Sequence, residues 1–511
     1  MIHGEPDAGL DVGHADALPD THVEVPPGKV THEGDLRQGE SWSRAWGGNG
    51  SCDSQAVAIG PDGSLYVTGA FSGAVDFDPT DGEDIRTAQV GTGIFLTRFA
   101  TDGTRVWTLT WTTTDGYTYS GWGNRGSAIA VDSDGSIFLG GQYSGTIDLD
   151  PGEGVATQQM LSGFDAFLLK LMPDRSFAWG MALHGSGRGR VTSIALRSGL
   201  VVTSGQADAA ADFDPGPGEL HLAGAGQIDC YLQVLDPDGS LQWARMWGGS
   251  YDEWSCKAGL SANSIVSTGS YSGAGDLDPG PGVDWHYAAV QDGFLLTFDQ
   301  GGTRTGISTW GNQKNMTSND VGAWADSIYV GGAFDLPTDF GTAELPAIRA
   351  PKATVNAHEA YLLKFDNSGA RPWVRTWGGA DGSLAEVLGI RAAGFGVLAV
   401  GQYVGEVDFT AGDRGAIYAS QSTDKIPNGY IRAFDHDGAA LWTRVLPGDS
   451  NAVTAVDTQR GIGAFTGLFV GTIDLDFAAG SDVWSSPGLQ GCFAARFALA
   501  PAPSSSPGAH Q

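Results

Sequence analysis

Five pairs of aspartates, each pair separated by one residue, carry the strongest chemical signal in this chain: Asp76 and Asp78, Asp148 and Asp150, Asp212 and Asp214, Asp276 and Asp278, Asp474 and Asp476. Proline follows the first four pairs, and Phe477 follows the fifth. Two Asp at i and i+2 on an extended segment point the same way, and hard cations such as Ca²⁺ gather carboxylate and carbonyl oxygens. Calcium is therefore the candidate cofactor, with these ten aspartates as candidate ligands. The third acid of a linear calcium loop is missing, however, and no Glu stands at the bidentate position. The alternative is structural: the first Asp caps a turn and Pro ends the strand. Asp339-Phe340-Gly341 and Asp408-Phe409-Thr410 keep only the first acid, which suits a structural task better than one localised site.

A second candidate lies between Thr112 and Arg125, where Tyr117, Tyr119 and Trp122 occupy a long, irregular link. Such aromatics can stack on a sugar or grip a peptide, or fold back over a sheet edge. Tryptophans followed by glycine, at Trp247, Trp310 and Trp377, are read instead as packing wedges. Catalytic signals are poor. His3, His14, His22, His32 and His510 fall in the terminal segments, and the other five histidines do not recur at one position. No His-Glu-x-x-His, Gly-x-Ser-x-Gly, phosphate-loop or Cys-x-x-Cys motif occurs, so no catalytic residue is assigned.

The elements that must position these residues repeat. A strand of aromatic-x-Leu-x-Phe character recurs at Phe95 to Phe99, Phe167 to Leu171, Tyr231 to Leu235, Phe294 to Phe298, Tyr361 to Phe365, Tyr430 to Phe434 and Phe493 to Phe497, at steps of 63 to 72 residues. Within one copy, Ser127 to Val131, Ile137 to Gly141, Ala166 to Leu171 and Ser176 to Leu183 read as four strands. The turns Asp132-Ser133-Asp134-Gly135 and Pro173-Asp174-Arg175 punctuate them. Short antiparallel strands repeated in this way predict an all-β, seven-bladed β-propeller with four-stranded blades. The last copy stops after its third strand, while residues 41–47 form an orphan fourth strand. Pairing these ends closes the ring and removes two sheet edges. The Asp-rich connections and Trp-Gly links then share one face, the expected binding face.

Seventy-eight glycines in 511 residues fit many tight turns. A net charge of −31 excludes phosphate recognition by basic clusters and disfavours an anionic membrane surface. No apolar run is long enough to cross a bilayer as a helix. Residues 1–40, rich in Gly, Pro, Asp and His, are expected to be a disordered acidic leader, 41–498 the propeller, and 499–511 a disordered tail. Cys52 and Cys256 fall in non-neighbouring copies, and no disulfide is expected from the four cysteines.

The recurring Trp-Gly-Gly, the strand Leu65 to Gly69, Asp-Phe-Asp-Pro and Phe-Leu-x-Lys/Arg-Phe resemble the bacterial SBBP family of seven-bladed propeller repeats, over Ser41 to Phe497. The resemblance implies a secreted or cell-surface protein, with an export signal or lipid-anchored cysteine upstream of Met1. The expected function is a non-catalytic, monomeric scaffold or binding module for a glycan or protein partner. The alternatives are a secreted hydrolase or lyase with its site over the central channel, and a calcium-stabilised structural protein.

Overall fold

In a computed structural model, the described residues are 29–33, 41–115, 123–161, 163–185, 188–197, 199–208, 211–216, 218–222, 224–226, 228–311, 314–335, 338–341, 358–379, 382–409, 417–420, 426–476 and 481–499. Among them every regular element is a strand. The architecture is all-β and propeller-like, built of antiparallel four-stranded groups. The first copy runs Ser51–Ile59, Leu65–Asp76, Ile85–Phe99 and Arg105–Trp111, each strand paired to the next. The second repeats the pattern with Arg125–Val131, Ile137–Tyr143, Asp165–Leu171 and Phe177–Leu183.

Alternation explains the core. In Ile85–Phe99 the residues from Ile94 to Phe99 are buried almost throughout, because this third strand lies inside its sheet with a neighbouring sheet over each face. The first strand of each copy carries a register shift near its start, as between Ser54 and Ala56 or Ser318 and Asp320. Such a bulge bends the strand and frees main-chain groups for the next sheet. Thr454 Oγ1 donates to Ser54 O (2.7 Å), Asn319 Nδ2 donates to Val387 O (2.9 Å), and Asp320 Oδ2 accepts from Ile390 N (2.7 Å). First strands of neighbouring copies are therefore stitched by side chains rather than by a ladder.

On the outside, fourth strands latch onto the following copy. The indole N–H groups of Trp42, Trp179, Trp243 and Trp373 donate to carbonyls of Thr101, Pro237, Gln300 and His436 at 2.8–3.2 Å. Arg44, Arg245 and Arg375 donate through Nε to Gly103, Gly302 and Gly438. Those three glycines have positive φ of 85°, 79° and 81°, the turn conformation that presents the carbonyl outward. The Trp-Gly tryptophans pack as the sequence predicts. Trp46 lies against Phe95 and Phe99, Trp247 against Phe294 and Phe298, and Trp377 against Tyr430 and Phe434.

The chain ends meet. Trp42–Trp46 pairs antiparallel with Gly491–Ala498, in the place of the fourth strand that the last copy lacks. Two expectations need correction. Residues 29–33, read as part of a disordered leader, contribute the strand Thr31–His32, which pairs with Val483–Ser485. The cysteines, read as unpaired, form two disulfides, Cys52–Cys492 and Cys230–Cys256. Each joins the third strand of one copy to the first strand of the next. Cys52 and Cys256 occupy like positions in different copies, so comparing them with each other overlooks the partner each has across a sheet boundary.

Candidate functional site

The Asp-x-Asp-Pro connections cross the loop face as short ribbons, and their carboxylates are committed to their own backbone. Oδ1 of Asp76 accepts from the N–H groups of Asp78 (3.0 Å) and Asp84 (2.9 Å). Asp148, Asp212, Asp276 and Asp474 repeat this double bond to the residues two and eight positions on, at 2.8–3.1 Å. The second Asp caps the following turn: Asp78, Asp150, Asp214 and Asp278 accept from Thr80, Gly152, Gly216 and Gly280. The other oxygen of Asp278 lies 2.2 Å from where a Cβ on Gly282 would sit, and Gly82, Gly154 and Gly218 stand alike over theirs. Glycine four residues after the second Asp thus completes the loop. Among the described residues no three His, Cys, Asp or Glu side chains gather to hold a metal ion. Tyr117, Tyr119 and Trp122 lie outside the described residues.

A cavity of 340 Å³ runs along the first strands and is lined by all of them, from Gln55 to Gln459. Most of the wall is Ala, Gly, Ser and Val, with charge confined to Lys257, Asp320, Arg391 and Asp457. Arg391 Nε bonds Asp457 Oδ1 at 2.7 Å, and Asp457 Oδ2 accepts from Ile59 N at 2.8 Å. Lys257 Nζ donates to Thr192 O at 2.6 Å. Burial pushes Lys257 down and Asp320 up, each offset in part by the other's charge. These groups bond one another and the bulged backbone.

Sequence reasoning missed a second set of acids. Asp165, Asp229, Asp292 and Glu359 each stand two residues before the recurring aromatic of four consecutive third strands, and all are buried. Three of them fill the space beside the glycine of their own Trp-Gly link. A Cβ on Gly248 would meet Asp229 Oδ1 at 2.2 Å, one on Gly311 would meet Asp292 Oδ1 at 2.2 Å, and one on Gly378 would meet Glu359 Cγ at 2.4 Å. Burial pushes the carboxyls of Asp292 and Glu359 up to about 7. Glu253, fully buried beside Asp229, is pushed up to about 10, first by burial and then by the hydrogen bond and charge of Asp229. One of this pair therefore holds a proton at neutral pH. The signal was legible: in these four copies an acid stands two residues before the recurring aromatic.

Exposed apolar residues are scattered over several copies, but a group of them lies together on the loop-face ribbon of the fourth copy. Val283, Trp285, Tyr287 and Val290 are all exposed, Trp285 by 49% and Tyr287 by 74%, and Tyr251 is exposed by 61%. The ring of Tyr251 lies against Gly273 on the paired strand.

No family model matches the chain, and no curated protein matches it. Among solved structures the chain is similar to a neuraminidase-like protein from A/bat/Guatemala/164/2009, at 9% identity over 91% of this chain and 93% of that one, TM-score 0.34. A neuraminidase-like protein of A/flat-faced bat/Peru/033/2010 matches at 9% identity over 92% and 90%, TM-score 0.31. A Synechocystis apocarotenoid oxygenase variant matches at 13% identity over 80% and 94%, TM-score 0.30.

Proposed function

We propose that this chain is a seven-bladed β-propeller of the SBBP kind, closed by its N-terminal strand, that serves outside the cell as a non-catalytic binding module for a glycan or protein partner. The pairing of Trp42–Trp46 with Gly491–Ala498 supports closure. The two disulfides support an oxidising compartment.

The observation that carries the binding role is the contrast between the acids and the aromatics. The conspicuous carboxylates are occupied by loop backbone or buried behind Trp-Gly links. Trp285 and Tyr287, in contrast, stand exposed on one ribbon, a cost in solvation that a binding surface repays on contact. Calcium as a stabilising ligand of the Asp-x-Asp loops remains part of the proposal, drawn by the carboxylate oxygens that the loop N–H groups leave over.

The test is a glycan and protein-partner screen of the full chain, with calcium and with chelator, beside a Trp285→Ala/Tyr287→Ala double variant. Binding that the double variant loses supports the reading. Hydrolysis of a screened glycan by the wild type, or ligand binding unaffected by the double variant, counts against it.

A further inference from the structure

We infer that the ribbon edge at Trp285–Tyr287 is one wall of a slot that accepts an extended, lysine-bearing strand of a partner protein. The inference rests on the binding-module reading and names the partner class. Its basis is that the chain fills the equivalent slot elsewhere with a strand of its own.

In the last copy, Val483–Ser485 pairs on one side with Thr472, Ile473 and Asp474, and on the other with Thr31–His32. Glu33 N–H donates to Val483 O at 3.0 Å. The inserted strand buries Val30, against Gly47 of the Trp-Gly link, and lays His32 on Trp484 with its Nε2 2.6 Å from Asp482. Lys29 Nζ reaches Asp76 Oδ2, 3.5 Å away on the neighbouring copy. The slot thus has three recognisable parts: an outward-facing ribbon edge, a glycine floor, and a carboxylate across the gap that takes a lysine.

The fourth copy has the ribbon edge and the carboxylate across the gap, but beside its Trp-Gly glycine, Gly311, Asp292 Oδ1 takes the place that Val30 takes beside Gly47. Asp276 pairs with Trp285 as Asp474 pairs with Val483, so Trp285 and Tyr287 correspond to Val483 and Ser485. Leu277 N–H bonds Asp284 O, as Leu475 N–H bonds Asp482 O, which fixes the alternation. By that alternation the main-chain groups of Trp285 and Tyr287 face outward, away from Gly273–Asp276. Among the described residues no strand pairs there. Gly311 corresponds to Gly47, since Trp310 pairs with Gly293 as Trp46 pairs with Cys492, each one residue before the third-strand aromatic. Gly311 N–H donates to Asp339 O, whereas Gly47 O accepts from Asp76 N–H. Asp339 is exposed, and its Oδ1 accepts from Gly341 N at 2.7 Å. Arg371 lies nearby but donates to Phe340 O and Thr309 O. A lysine on the incoming strand meets Asp339 as Lys29 meets Asp76, and the net charge of −31 draws a basic segment to it. Exposed strand edges of this kind recruit a further strand through main-chain bonds, with side-chain pockets setting the choice of partner.

The probe is a fluorescein-labelled, end-capped peptide of the chain's own residues 28–33, Gly-Lys-Val-Thr-His-Glu, titrated into the full chain by fluorescence anisotropy. We expect saturable binding that weakens tenfold or more in Tyr287→Pro, which removes an outward N–H, and in Asp339→Lys, which reverses the charge. A peptide with glutamate in place of its lysine should lose as much. Asp339→Lys leaves the strand intact, so its result stands if Tyr287→Pro unfolds the ribbon. Absence of saturation, equal binding by Asp339→Lys and wild type, or displacement of the peptide by an oligosaccharide would overturn the slot. A partner found in the screen whose binding survives Asp339→Lys leaves the binding-module reading in place and removes only this inference.

Discussion

Cys52 and Cys492 stand 440 positions apart in the chain, yet a disulfide joins them with their Cα atoms 5.3 Å apart. Cys230–Cys256 makes the same connection between two internal copies, over a separation of 26. A cross-link stabilises chiefly by restricting the unfolded chain, and more so for a longer loop. Cys492→Ser together with Cys52→Ser should therefore cost about 6 kcal/mol in the chain-entropy description. For a domain of this length that lowers the melting temperature by about 6 °C. Cys230→Ser with Cys256→Ser should cost less. Calorimetry on the two double variants checks the order, and equal losses would show that restriction of the unfolded chain is not what governs the stabilisation.

The first aspartate of each loop holds two backbone N–H groups through one oxygen, a task that asparagine can also perform. Asp276→Asn should leave the melting temperature within about 1 °C, whereas Asp276→Ala should cost about 2 kcal/mol for the N–H groups left unpaired. Melts of both variants, each with calcium and with chelator, separate the structural task from metal binding. A calcium response in the wild type that Asp276→Asn alone abolishes would assign that carboxylate to the metal.

Stability should fall as pH rises. The folded-state carboxyls of Asp292 and Glu359, near 7, and of Glu253, near 10, all lie above their unfolded values. The native state therefore holds more protons than the unfolded state between those limits, and it loses the advantage as pH climbs through the folded values. Asp292→Asn and Glu359→Gln should flatten the melting temperature between about pH 4 and 7, and Glu253→Gln should flatten it from about pH 5 to 10. A profile unchanged by all three substitutions would remove this account.

In the channel, Arg391 keeps 44% of its side chain open to solvent, whereas Asp457 keeps 12%. Removing the arginine, the exposed partner, should cost about 1 kcal/mol, because Asp457 keeps its bond from Ile59 N–H. Asp457→Ala should cost about 2 kcal/mol, because it also strips Ile59 N–H of its acceptor where the last copy meets the first. Denaturant melts of the two single variants compare them directly.

His32 covers Trp484, whose indole N–H bonds Ser43, so the inserted strand can be followed optically. His32→Ala should shift tryptophan emission to longer wavelength and speed proteolytic cleavage after Lys29. Unchanged emission would mean that the strand stays seated without its imidazole.

The four-stranded copies, their turns, the packing role of the Trp-Gly tryptophans and the pairing of residues 41–47 with the last copy were all legible in the chain. Each depends on near-neighbour periodicity or on what recurs between copies. The carboxylates were legible as a pattern and ambiguous as chemistry, because Asp at i and i+2 suits a cation and a turn equally well. Sequence alone also determined that no recognised catalytic motif is present.

Tertiary structure decided what depends on the boundary between copies. Cys492 meets Cys52, and Trp42 with Arg44 reaches Thr101 and Gly103, because the fourth or third strand of one sheet lies over the next sheet's first strand or turn. That offset has no counterpart in comparisons made position by position between copies. The leader shows the same limit. Nothing in Lys29-Val30-Thr31-His32 marks a strand until Val483–Ser485, some 450 residues away, offers an edge with main-chain groups that must be paired.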